Sequence, residues 1–446
     1  MSTQSQSKSD DLGELLIIDK HYNELDPEVE SYGADGGNLK TITIERDKSI
    51  TIGRSQSNSL IITHPSISVV HCLIWNIQFD EHSIPLVYIK DESLNGTFLN
   101  GHNIGKGATY LLNHNDIITI KFGVSLRFQS AYGFDESNYG RSVIQQNCIA
   151  TDFEKWKVND RILGNGTFGN VFVCQNKGLR NKLYAVKIIK NVVNEVSFEP
   201  KILLKLNHVI YDAIILKSKL YIFEDLIAGG DLFSYLSNGT VLKPLPEFES
   251  LVITFQILIA LDYLHSNNVV HRDLKLDNIL LATPEPFTKI ILADFGIAKS
   301  TSSTKRRMFT AVGTPEYCAP EVGFEYTKVP AHLRTSLLGS QTIRKGYDSR
   351  CDIWSLGIIV HILLSGISPF YGDGTEVSII KNAKRGDLSF SAAQWKKVSL
   401  RSQLFVKCLL SVDVRKRFTV KECFNHEWIR RHNCELDAIY KKILTR

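Results

Sequence analysis

The chain has 446 residues, and 52 Lys and Arg against 47 Asp and Glu leave it a formal net charge of +5. Hydrophobic residues make up 43% and charged residues 22%, an ordinary globular composition that excludes a wholly disordered, collagen-like or coiled-coil chain. The length predicts about three folding units. The weak charge excess argues neither for nor against a nucleic acid or an anionic membrane, so we predict neither as a direct partner.

The first residues are polar. The stretch from Met1 to Asp10 is rich in Ser and Gln and lacks the apolar run of a signal peptide, and we predict a disordered tail over residues 1–30. Eight cysteines without a CxxC pair fit neither a disulfide scaffold nor a zinc site. The best apolar run, Leu251 to Leu264, is interrupted by polar residues and too short to span a bilayer. We therefore expect a soluble, intracellular protein with reduced thiols.

Residues 31–130 have the pattern of an all-β sandwich. Short alternating apolar runs extend from Leu39 to Phe128, and turn-forming pairs such as Asn95-Gly96 and Asn100-Gly101 separate them. No amphipathic helix is evident there. A polar stretch, Ser130 to Asn147, then predicts a linker, which we place at residues 131–155.

The hydrophobic periodicity changes after Trp156. Strand-like runs at Ala185 to Ile189 and Leu220 to Phe223 precede helical spacing, which is longest at Leu251 to Leu264 and Ile353 to Leu364. The pattern predicts a small β-rich lobe over residues 156–226 and a larger helical lobe over residues 227–430. A C-terminal tail, residues 431–446, follows.

A glycine-rich run with the spacing GxGxxGxV begins at Gly164 and ends at Val171. Missing side chains allow the backbone to approach a polyphosphate and donate its amide hydrogens, but glycine-rich turns are also commonly tight hairpins. Further motifs decide between these readings. They are Ala185-Val186-Lys187, His271-Arg272-Asp273-Leu274-Lys275-Leu276-Asp277-Asn278, Asp294-Phe295-Gly296 and Ala319-Pro320-Glu321. In this order they resemble the eukaryotic protein kinase family.

The resemblance implies ATP and Mg²⁺ as cofactors and a role for each motif residue. Phosphoryl transfer needs its dispersed negative charge neutralised, which the family does with a lysine at the phosphates, here Lys187, and with metal-holding groups, here Asn278 and Asp294. Asp273 corresponds to the catalytic group that accepts the proton of a substrate hydroxyl. Lys275 resembles the catalytic-loop lysine that Ser/Thr kinases have and tyrosine kinases usually lack. The other residues expected at ATP are Leu163, Gly164, Asn165, Gly166, Gly169, Val171, Ala185, Glu199 and Glu224.

Two supporting residues carry over in the same way. Asp352 resembles the helix aspartate that holds the catalytic loop, and Arg417 resembles the arginine that pairs with Glu321. Glu199 is the candidate partner of Lys187. Because Pro200 follows it directly and a helix must then begin there, a solvated surface carboxylate is the alternative.

The chain departs from the family pattern at three places. The segment Val209 to Lys219 is shorter than usual, and Gly323 to Lys345 is an insertion of a length that suits a functional or mobile loop. The residue that gates the back of the nucleotide pocket is a carboxylate, Glu224, which is costly to bury unless it is hydrogen-bonded.

A second set of motifs lies in the sandwich region: Gly53-Arg54, Ser68-Val69-Val70-His71 and Asn95-Gly96-Thr97. They resemble a forkhead-associated (FHA) domain, whose loops bind phosphothreonine. A guanidinium, a hydroxyl and an amide suit phosphopeptide recognition, and Arg54, Ser68 and Asn95 supply them. His71 is expected to be a structural, core-facing histidine. Leu94 stands where related domains often carry a polar residue, which would alter peptide selectivity.

Together the motifs predict a multidomain chain, an all-β FHA sandwich followed by a bilobal α+β protein kinase fold. This layout resembles the fungal checkpoint kinases and, within them, the meiosis-specific FHA kinases of budding yeasts. The resemblance implies a nuclear, chromosome-associated kinase that is recruited by a phosphothreonine-bearing scaffold protein and controls meiotic recombination partner choice. The alternatives are a general DNA-damage checkpoint kinase and a phosphopeptide-binding scaffold with an inert kinase domain.

Substrate preference and activation are predicted by the same resemblance. Asp231 and Asp277 lie where arginine-directed kinases place carboxylates, which predicts Arg at the third position before the acceptor Ser or Thr. Thr310 resembles the activating phosphorylation site, whose phosphate would pair with Arg272, and Thr314 resembles the substrate-facing threonine. Self-association on the scaffold would allow phosphorylation in trans. The competing hypothesis is that the FHA domain packs on the kinase domain and regulates it directly.

Overall fold

The computed structural model divides by its internal contacts into two units. The first comprises Met1–Val192 with Val209–Ala228, and the second comprises Val193–His208 with Gly229–Arg446. The residues described are 11–20, 41–46, 48–78, 84–132, 135–166, 169–178, 183–189, 210–237, 241–293, 299–300, 315–322 and 348–444.

The first unit begins with a sandwich of two sheets. Its strands are β1 (Asp11–Lys20), β2 (Thr41–Glu45), β3 (Ile50–Gly53), β4 (Leu60–Ile61), β5 (Cys72–Ile77), β6 (Leu86–Asp91), β7 (Thr97–Leu99), β8 (His102–Asn103), β9 (Thr109–Leu111), β10 (Ile117–Ile120) and β11 (Val124–Ser130). One sheet has the order β2-β1-β11-β10-β7-β8 and the other β4-β3-β5-β6-β9. Leu15 and Phe128 of the first sheet and Ile52 and Ile74 of the second share one buried core, which confirms the predicted sandwich.

The sandwich starts earlier than the sequence predicted. Strand β1 lies between β2 and β11, with Leu15 opposite both Ile42 and Phe128. Its apolar side chains Leu12, Leu15 and Ile17 are buried in the core. The prediction of a disordered tail over residues 1–30 is therefore wrong for residues 11–20, because their partners lie far along the chain.

The predicted linker contains a helix, α1 (Asp135–Gln146). Its Val143 joins Ile149 in the hydrophobic core of the next sheet. The helix approaches the backbone closely at Gly140, where a Cβ atom would lie 1.5 Å from the carbonyl oxygen of Asp160. Arg141 Nε donates to Asp160 Oδ2 at 2.8 Å. The segment is thus packed against folded chain and is more than a polar connection.

A five-stranded antiparallel sheet completes the first unit. Its strands are β12 (Trp156–Gly166), β13 (Gly169–Asn176), β14 (Leu183–Ile189), β15 (Ile210–Leu216) and β16 (Lys219–Asp225), in the order β12-β13-β14-β16-β15. One face of the sheet packs Trp156, Phe172 and Phe223 against the residues around α1. The shortened segment from Val209 to Lys219 still contributes the edge strand β15, so the shortening has not removed a strand.

The second unit is mainly helical. Its described helices are α2 (Leu232–Leu236), α3 (Glu247–Ser266), α4 (Arg350–Ser365), α5 (Glu376–Arg385), α6 (Leu400–Leu409), α7 (Val420–Asn425), α8 (Glu427–Arg430) and α9 (Asn433–Leu444). Its short strands are β17 (Val269–Val270), β18 (Ile279–Leu281), β19 (Ile290–Leu292) and β20 (Lys299–Ser300), which pair as β17–β20 and β18–β19. A small β-rich part followed by a larger helical part confirms the predicted fold class.

Helix α3 is the core helix of this unit. By length and composition alone it could cross a membrane, but 67% of that apolar stretch is buried inside the protein. Side-chain caps begin several of the helices around it. Thr375, Ser399 and Thr419 each accept a hydrogen bond from the backbone N–H three residues later.

The C-terminal segment is also folded. Helix α9 buries Leu436 and Ile443, which are seven residues apart and so lie on one face. The C-terminal tail predicted over residues 431–446 therefore contains a packed helix.

Candidate functional site

Hydrogen bonds bring the three predicted phosphothreonine-binding residues onto adjoining loops. The backbone N–H of Arg54 donates to the carbonyl of Ser68 at 2.9 Å, and Asn95 Nδ2 donates to the carbonyl of Ser66 at 2.6 Å. The Leu94 N–H donates to Ser68 Oγ at 3.1 Å, so the Ser68 hydroxyl keeps its own proton for a ligand. Arg54 and Asn95 are exposed. The three groups can therefore meet a phosphate at the protein surface.

His71 supports these loops from the interior of the domain. It is buried, its Nδ1 accepts from the Ser68 N–H at 3.4 Å, and its Nε2 lies 3.3 Å from the carbonyl oxygen of Gly96. Burial lowers the pKa of His71, so the ring is neutral at pH 7. The prediction of a structural histidine is confirmed. Leu94, in contrast, is 81% exposed beside the loops, as a residue that contacts a peptide would be.

One face of the five-stranded sheet carries the described nucleotide-binding candidates. Val171 lies opposite Lys187, and Ala185 lies opposite Glu224. Directly opposite residues, and residues two apart on one strand, share a face, so these four side chains lie together. Leu163 belongs to the same buried hydrophobic cluster as Ala185. The face combines apolar surface with one cation and one carboxylate.

The glycine-rich run forms the ends of two paired strands. Gly164 lies opposite Val171, and Gly166 lies opposite Gly169. A Cβ atom at Gly169 would lie 1.9 Å from the carbonyl oxygen of Ile188, so strand packing alone requires glycine there. Glycine at this position has a structural role in addition to any role at a phosphate.

The catalytic-loop candidates lie together in the second unit. Asn278 Nδ2 donates to the backbone carbonyl of Asp273 at 2.7 Å and to its Oδ2 at 3.1 Å. Lys275 Nζ lies 3.7 Å from the same Oδ2. The carboxylate of Asp273 is thus held in place by an amide and set beside a cation.

Asp352 holds this loop as predicted. Its carboxylate accepts from the backbone N–H groups of His271 at 3.0 Å and Arg272 at 2.9 Å, and it lies 2.8 Å from His265 Nε2. Burial raises the pKa of Asp352, but the hydrogen bonds from His265 and the Arg272 amide outweigh it and leave the pKa below its usual range. The backbone at Arg272 has φ +74°, a strained conformation that these bonds support.

The predicted pair between Arg417 and Glu321 is confirmed. Arg417 Nη1 and Nη2 donate to Glu321 Oε1 and Oε2 at 2.6 and 2.9 Å, a bidentate geometry. Arg417 is buried and also donates to the carbonyl oxygens of Ser411 and Arg350. The guanidinium is therefore satisfied on several sides inside the helical unit.

Asp231 also has a structural role, in addition to the substrate-facing role that the sequence predicts. It caps helix α2, accepting from the Ser234 N–H at 2.8 Å and the Ser234 hydroxyl at 3.1 Å. Burial raises the pKa of Asp231, and the negative charge of Asp277 raises it further. The two predicted substrate-facing carboxylates are thus close enough to sense each other, but only Asp277 is exposed.

Several predicted residues lie outside the described part of the chain. They are Glu199, Asp294, Thr310 and Thr314, together with the side chain of Asn165. The whole insertion from Gly323 to Lys345 belongs to the same set. Their assigned roles stay predictions.

Comparison with known families decides the identity of both parts. Residues 158–429 match the protein kinase domain, and residues 50–121 match the FHA domain. The chain belongs to the protein kinase family. It is a protein serine/threonine kinase with an FHA domain at its N-terminal side.

Two relatives match the kinase over nearly its whole length. The meiosis-specific serine/threonine-protein kinase MEK1 of Saccharomyces cerevisiae is 48% identical over 91% of this chain and 85% of its own. The meiosis-specific serine/threonine-protein kinase mek1 of Schizosaccharomyces pombe is 34% identical over 95% of this chain and 91% of its own. A crystal structure of Rad53 1-466 in complex with AMP-PNP covers 94% of this chain and 100% of that chain, with 25% identity and a TM-score of 0.49.

The sequence offered packing of the FHA domain on the kinase only as a competing hypothesis, without naming the residues of an interface. Trp75 Nε1 of the FHA domain donates to the carbonyl of Ala228 at 2.7 Å. Arg161 Nη1 of strand β12 donates to the carbonyl of Leu112 and to Asn113 Oδ1, both at 2.9 Å. The available signal was that strands β5 and β6 are apolar at consecutive positions, which is typical of strands buried on both faces.

Proposed function

We propose that this kinase transfers the γ-phosphoryl group of ATP to serine or threonine hydroxyls of protein substrates that carry Arg upstream. The observation that carries the proposal is the arrangement in which Asn278 and Lys275 flank the carboxylate of Asp273. In this role Asp273 orients the attacking hydroxyl and accepts its proton as the new O–P bond forms, while the bond from the γ-phosphorus to the β,γ-bridging oxygen breaks and ADP leaves. The cation of Lys275 offsets negative charge on the transferred group.

The metal-holding residues fit Mg²⁺ by their donor chemistry. The amide nitrogen of Asn278 faces Asp273, which leaves the amide oxygen as a hard ligand of the kind that Mg²⁺ prefers. The carboxylate of Asp294 would be the second protein ligand. When bound, Mg²⁺ would supply charge neutralisation at the phosphate oxygens, and Lys187 would add its cation from the sheet.

Substitution of Asp273 tests the catalytic assignment. With radiolabelled ATP and a basic peptide, Asp273→Ala should lower kcat by about 10²- to 10⁴-fold, the usual contribution of a positioned general base. Asp387→Ala, which removes an exposed surface carboxylate, is the matched control and should leave kcat unchanged. Full activity of Asp273→Ala would contradict the assignment. An inactive wild-type kinase would instead favour the inert-scaffold alternative.

We propose further that the FHA domain recruits the kinase to a phosphothreonine-bearing scaffold through Arg54, Ser68 and Asn95. The support is that hydrogen bonds bring the loops of all three residues together at the surface. Because the two yeast relatives reported above are named meiosis-specific kinases, we place the scaffold on meiotic chromosomes in the nucleus, where the kinase would control recombination partner choice and a checkpoint. A kinase equally abundant in vegetative and meiotic cells would instead favour a general DNA-damage role.

Activation would follow from crowding on the scaffold. Several kinase molecules on one multiply phosphorylated scaffold have a raised effective concentration, which favours phosphorylation of Thr310 in trans. The phosphate would then pair with Arg272, whose backbone Asp352 already fixes.

Forced dimerisation tests this order of events. Arg54→Ala should abolish Thr310 phosphorylation in cells, and an artificial dimer of Arg54→Ala should recover both the phosphorylation and the activity. An Arg54→Ala dimer that stays inactive would refute recruitment and favour direct coupling of the FHA domain to the kinase domain. In the restored dimer, Thr310→Ala should remain inactive.

A further inference from the structure

The FHA sandwich has a second apolar face in addition to its core. Along β5, Cys72 and Ile74 point into the sandwich core, while Trp75 and Ile77 belong to a different buried cluster. Leu86 and Tyr88 of β6 and Leu111 of β9 belong to that second cluster as well. Trp75 is only 3% exposed and stacks on Tyr88 with 5.8 Å between ring centroids. A face this large and apolar must be covered by another part of the chain.

This second face of the sandwich packs against the kinase's five-stranded sheet and the segment that follows the sheet. The same cluster contains Leu163, Val173, Ala185 and Ala228, and Val171 packs against it. The Trp75 indole N–H satisfies its hydrogen bond on the backbone carbonyl of Ala228, directly after the last strand of the sheet. A buried indole N–H needs such a partner, so this bond fixes where the FHA domain docks.

A second polar anchor lies at strand β12. The buried guanidinium of Arg161 donates to two acceptors of the FHA domain, the Leu112 carbonyl and the Asn113 side chain. Arg161 is two residues before Leu163, at the entrance to the glycine-rich run. Apolar packing and two polar anchors therefore join the FHA domain to the part of the sheet that is assigned to the nucleotide.

Two residues assigned to the nucleotide are buried in this cluster. Leu163 and Ala185 are each 5% exposed, and they lie in one cluster with Trp75. Ala185 shares its sheet face with Lys187, the proposed phosphate-binding lysine. An adenine ring can contact Leu163, Val171 and Ala185 only where the FHA side chains do not.

We propose that the Trp75 face of the FHA domain competes with ATP for this sheet face, so that the docked FHA domain holds the kinase in a form with low nucleotide affinity. The inference rests on the proposed nucleotide role of Leu163, Val171 and Ala185. Helix α1 keeps its own contacts to the sheet through Gly140 and Arg141, so the FHA domain stays close by even when it undocks. Undocking exposes Trp75, and ATP binding must offset that cost.

Nucleotide affinity measured on the full-length chain tests the proposal. The probe is AMP-PNP with Mg²⁺, titrated by calorimetry, and the variants are Trp75→Ala and Ile77→Glu. Both variants change the docking face and leave the sandwich core and the kinase sheet intact. If nine-tenths of the wild-type chains are docked, each variant should bind the probe about tenfold more tightly, because apparent affinity scales with the competent fraction.

Two controls make the result specific. Phe122→Ala removes an exposed apolar side chain of the same domain outside the docking face, and its Kd should equal that of the wild type. Trp75→Phe keeps an aromatic ring but loses the bond to the Ala228 carbonyl, so its Kd should fall between those of Trp75→Ala and the wild type.

The outcomes separate this proposal from the proposed function. AMP-PNP binding requires neither phosphoryl transfer nor phosphothreonine binding. The test therefore stays valid if the kinase is inactive or if the FHA domain binds no phosphothreonine. If Trp75→Ala and Ile77→Glu bind AMP-PNP no more tightly than the wild type, the docking is structural and the proposal is overturned. If Trp75→Ala does not fold, Ile77→Glu decides alone.

Discussion

The phosphothreonine loops and the catalytic loop are held in opposite ways. Arg54 and Asn95 are exposed, and their loops are joined by backbone and side-chain hydrogen bonds next to the buried ring of His71. The catalytic loop is attached to Asp352, a buried carboxylate on a helix that is buried along nearly its whole length. Ligand recognition at the first site can therefore change without loss of the fold, whereas the supports of the second site also hold the helical unit together.

The largest effect is expected where a supporting charge is buried. Arg417→Ala leaves Glu321 without its partner inside the helical unit and should lower the free energy of unfolding by about 3–5 kcal/mol. The matched control is Arg415→Ala, which breaks a solvent-screened, exposed pair with Asp413 and should leave the free energy of unfolding nearly unchanged. Urea unfolding of both variants measures the difference. Equal losses would show that burial does not distinguish the two pairs.

A pH effect of similar size is expected at His361 of helix α4. Burial lowers the pKa of His361 to about 4, while in the unfolded chain the histidine has its ordinary pKa of 6.5. The unfolded chain thus takes up a proton first, and stability falls as the pH drops from 6.5 to 4, by about 3 kcal/mol in total.

Comparison of unfolding curves isolates this contribution of His361. His361→Gln should lose less stability than the wild type between pH 6.5 and pH 4, and His432→Gln, at an exposed histidine, should behave like the wild type. Parallel pH profiles of His361→Gln and the wild type would contradict the assignment.

At the exposed phosphothreonine site, a substitution should weaken ligand binding without lowering stability. Arg54→Ala should weaken binding of a phosphothreonine peptide by about 1.5–3 kcal/mol, the range for hydrogen bonds to a charged group. The thermal midpoint should stay unchanged because Arg54 is exposed and, within the described part of the chain, its side chain donates one hydrogen bond, from Nε to the Ile67 carbonyl at 3.2 Å. Fluorescence anisotropy and thermal unfolding measure the two quantities. A large fall in the midpoint would mean that the loops depend on this side chain.

The smallest effect separates two roles of one residue. Asp231→Ala removes both the charge and the cap of helix α2 and should cost about 1 kcal/mol of stability, whereas Asp231→Asn keeps the cap. Both variants should reduce the preference for a peptide with Arg at the third position before the acceptor, measured as kcat/KM against the matched Ala peptide. Unchanged selectivity in both variants would remove Asp231 from the substrate site.

The catalytic motifs could be predicted from the sequence because their chemistry constrains both residue type and spacing. Asp273 and Asn278 are five residues apart, and a short turn brings them together. Strand β1 could not be predicted in this way. Its residue Leu15 depends on Phe128, more than a hundred positions later, and nothing local indicates that pairing.

The interface at Trp75 was missed for a related reason. The alternating runs of this region predicted a sandwich, yet in β5 the residues between the core positions are apolar too. Such a pattern indicates that both faces are covered but does not identify the cover. Only the folded chain shows that Ala228, in another domain, accepts the indole hydrogen bond.

Because helix α1 packs on the five-stranded sheet, the kinase domain as its motifs delimit it is shorter than the segment that buries its hydrophobic core. A fragment that begins at Trp156 would lack Val143 and Ile149, and it would lose the hydrogen bond from the Ala150 N–H to the Tyr221 hydroxyl. Without the FHA domain, it would also leave Leu163 uncovered on the other side of the sheet. Two exposed apolar surfaces on one small lobe favour aggregation, so the kinase domain should be expressed and purified together with the FHA domain and helix α1.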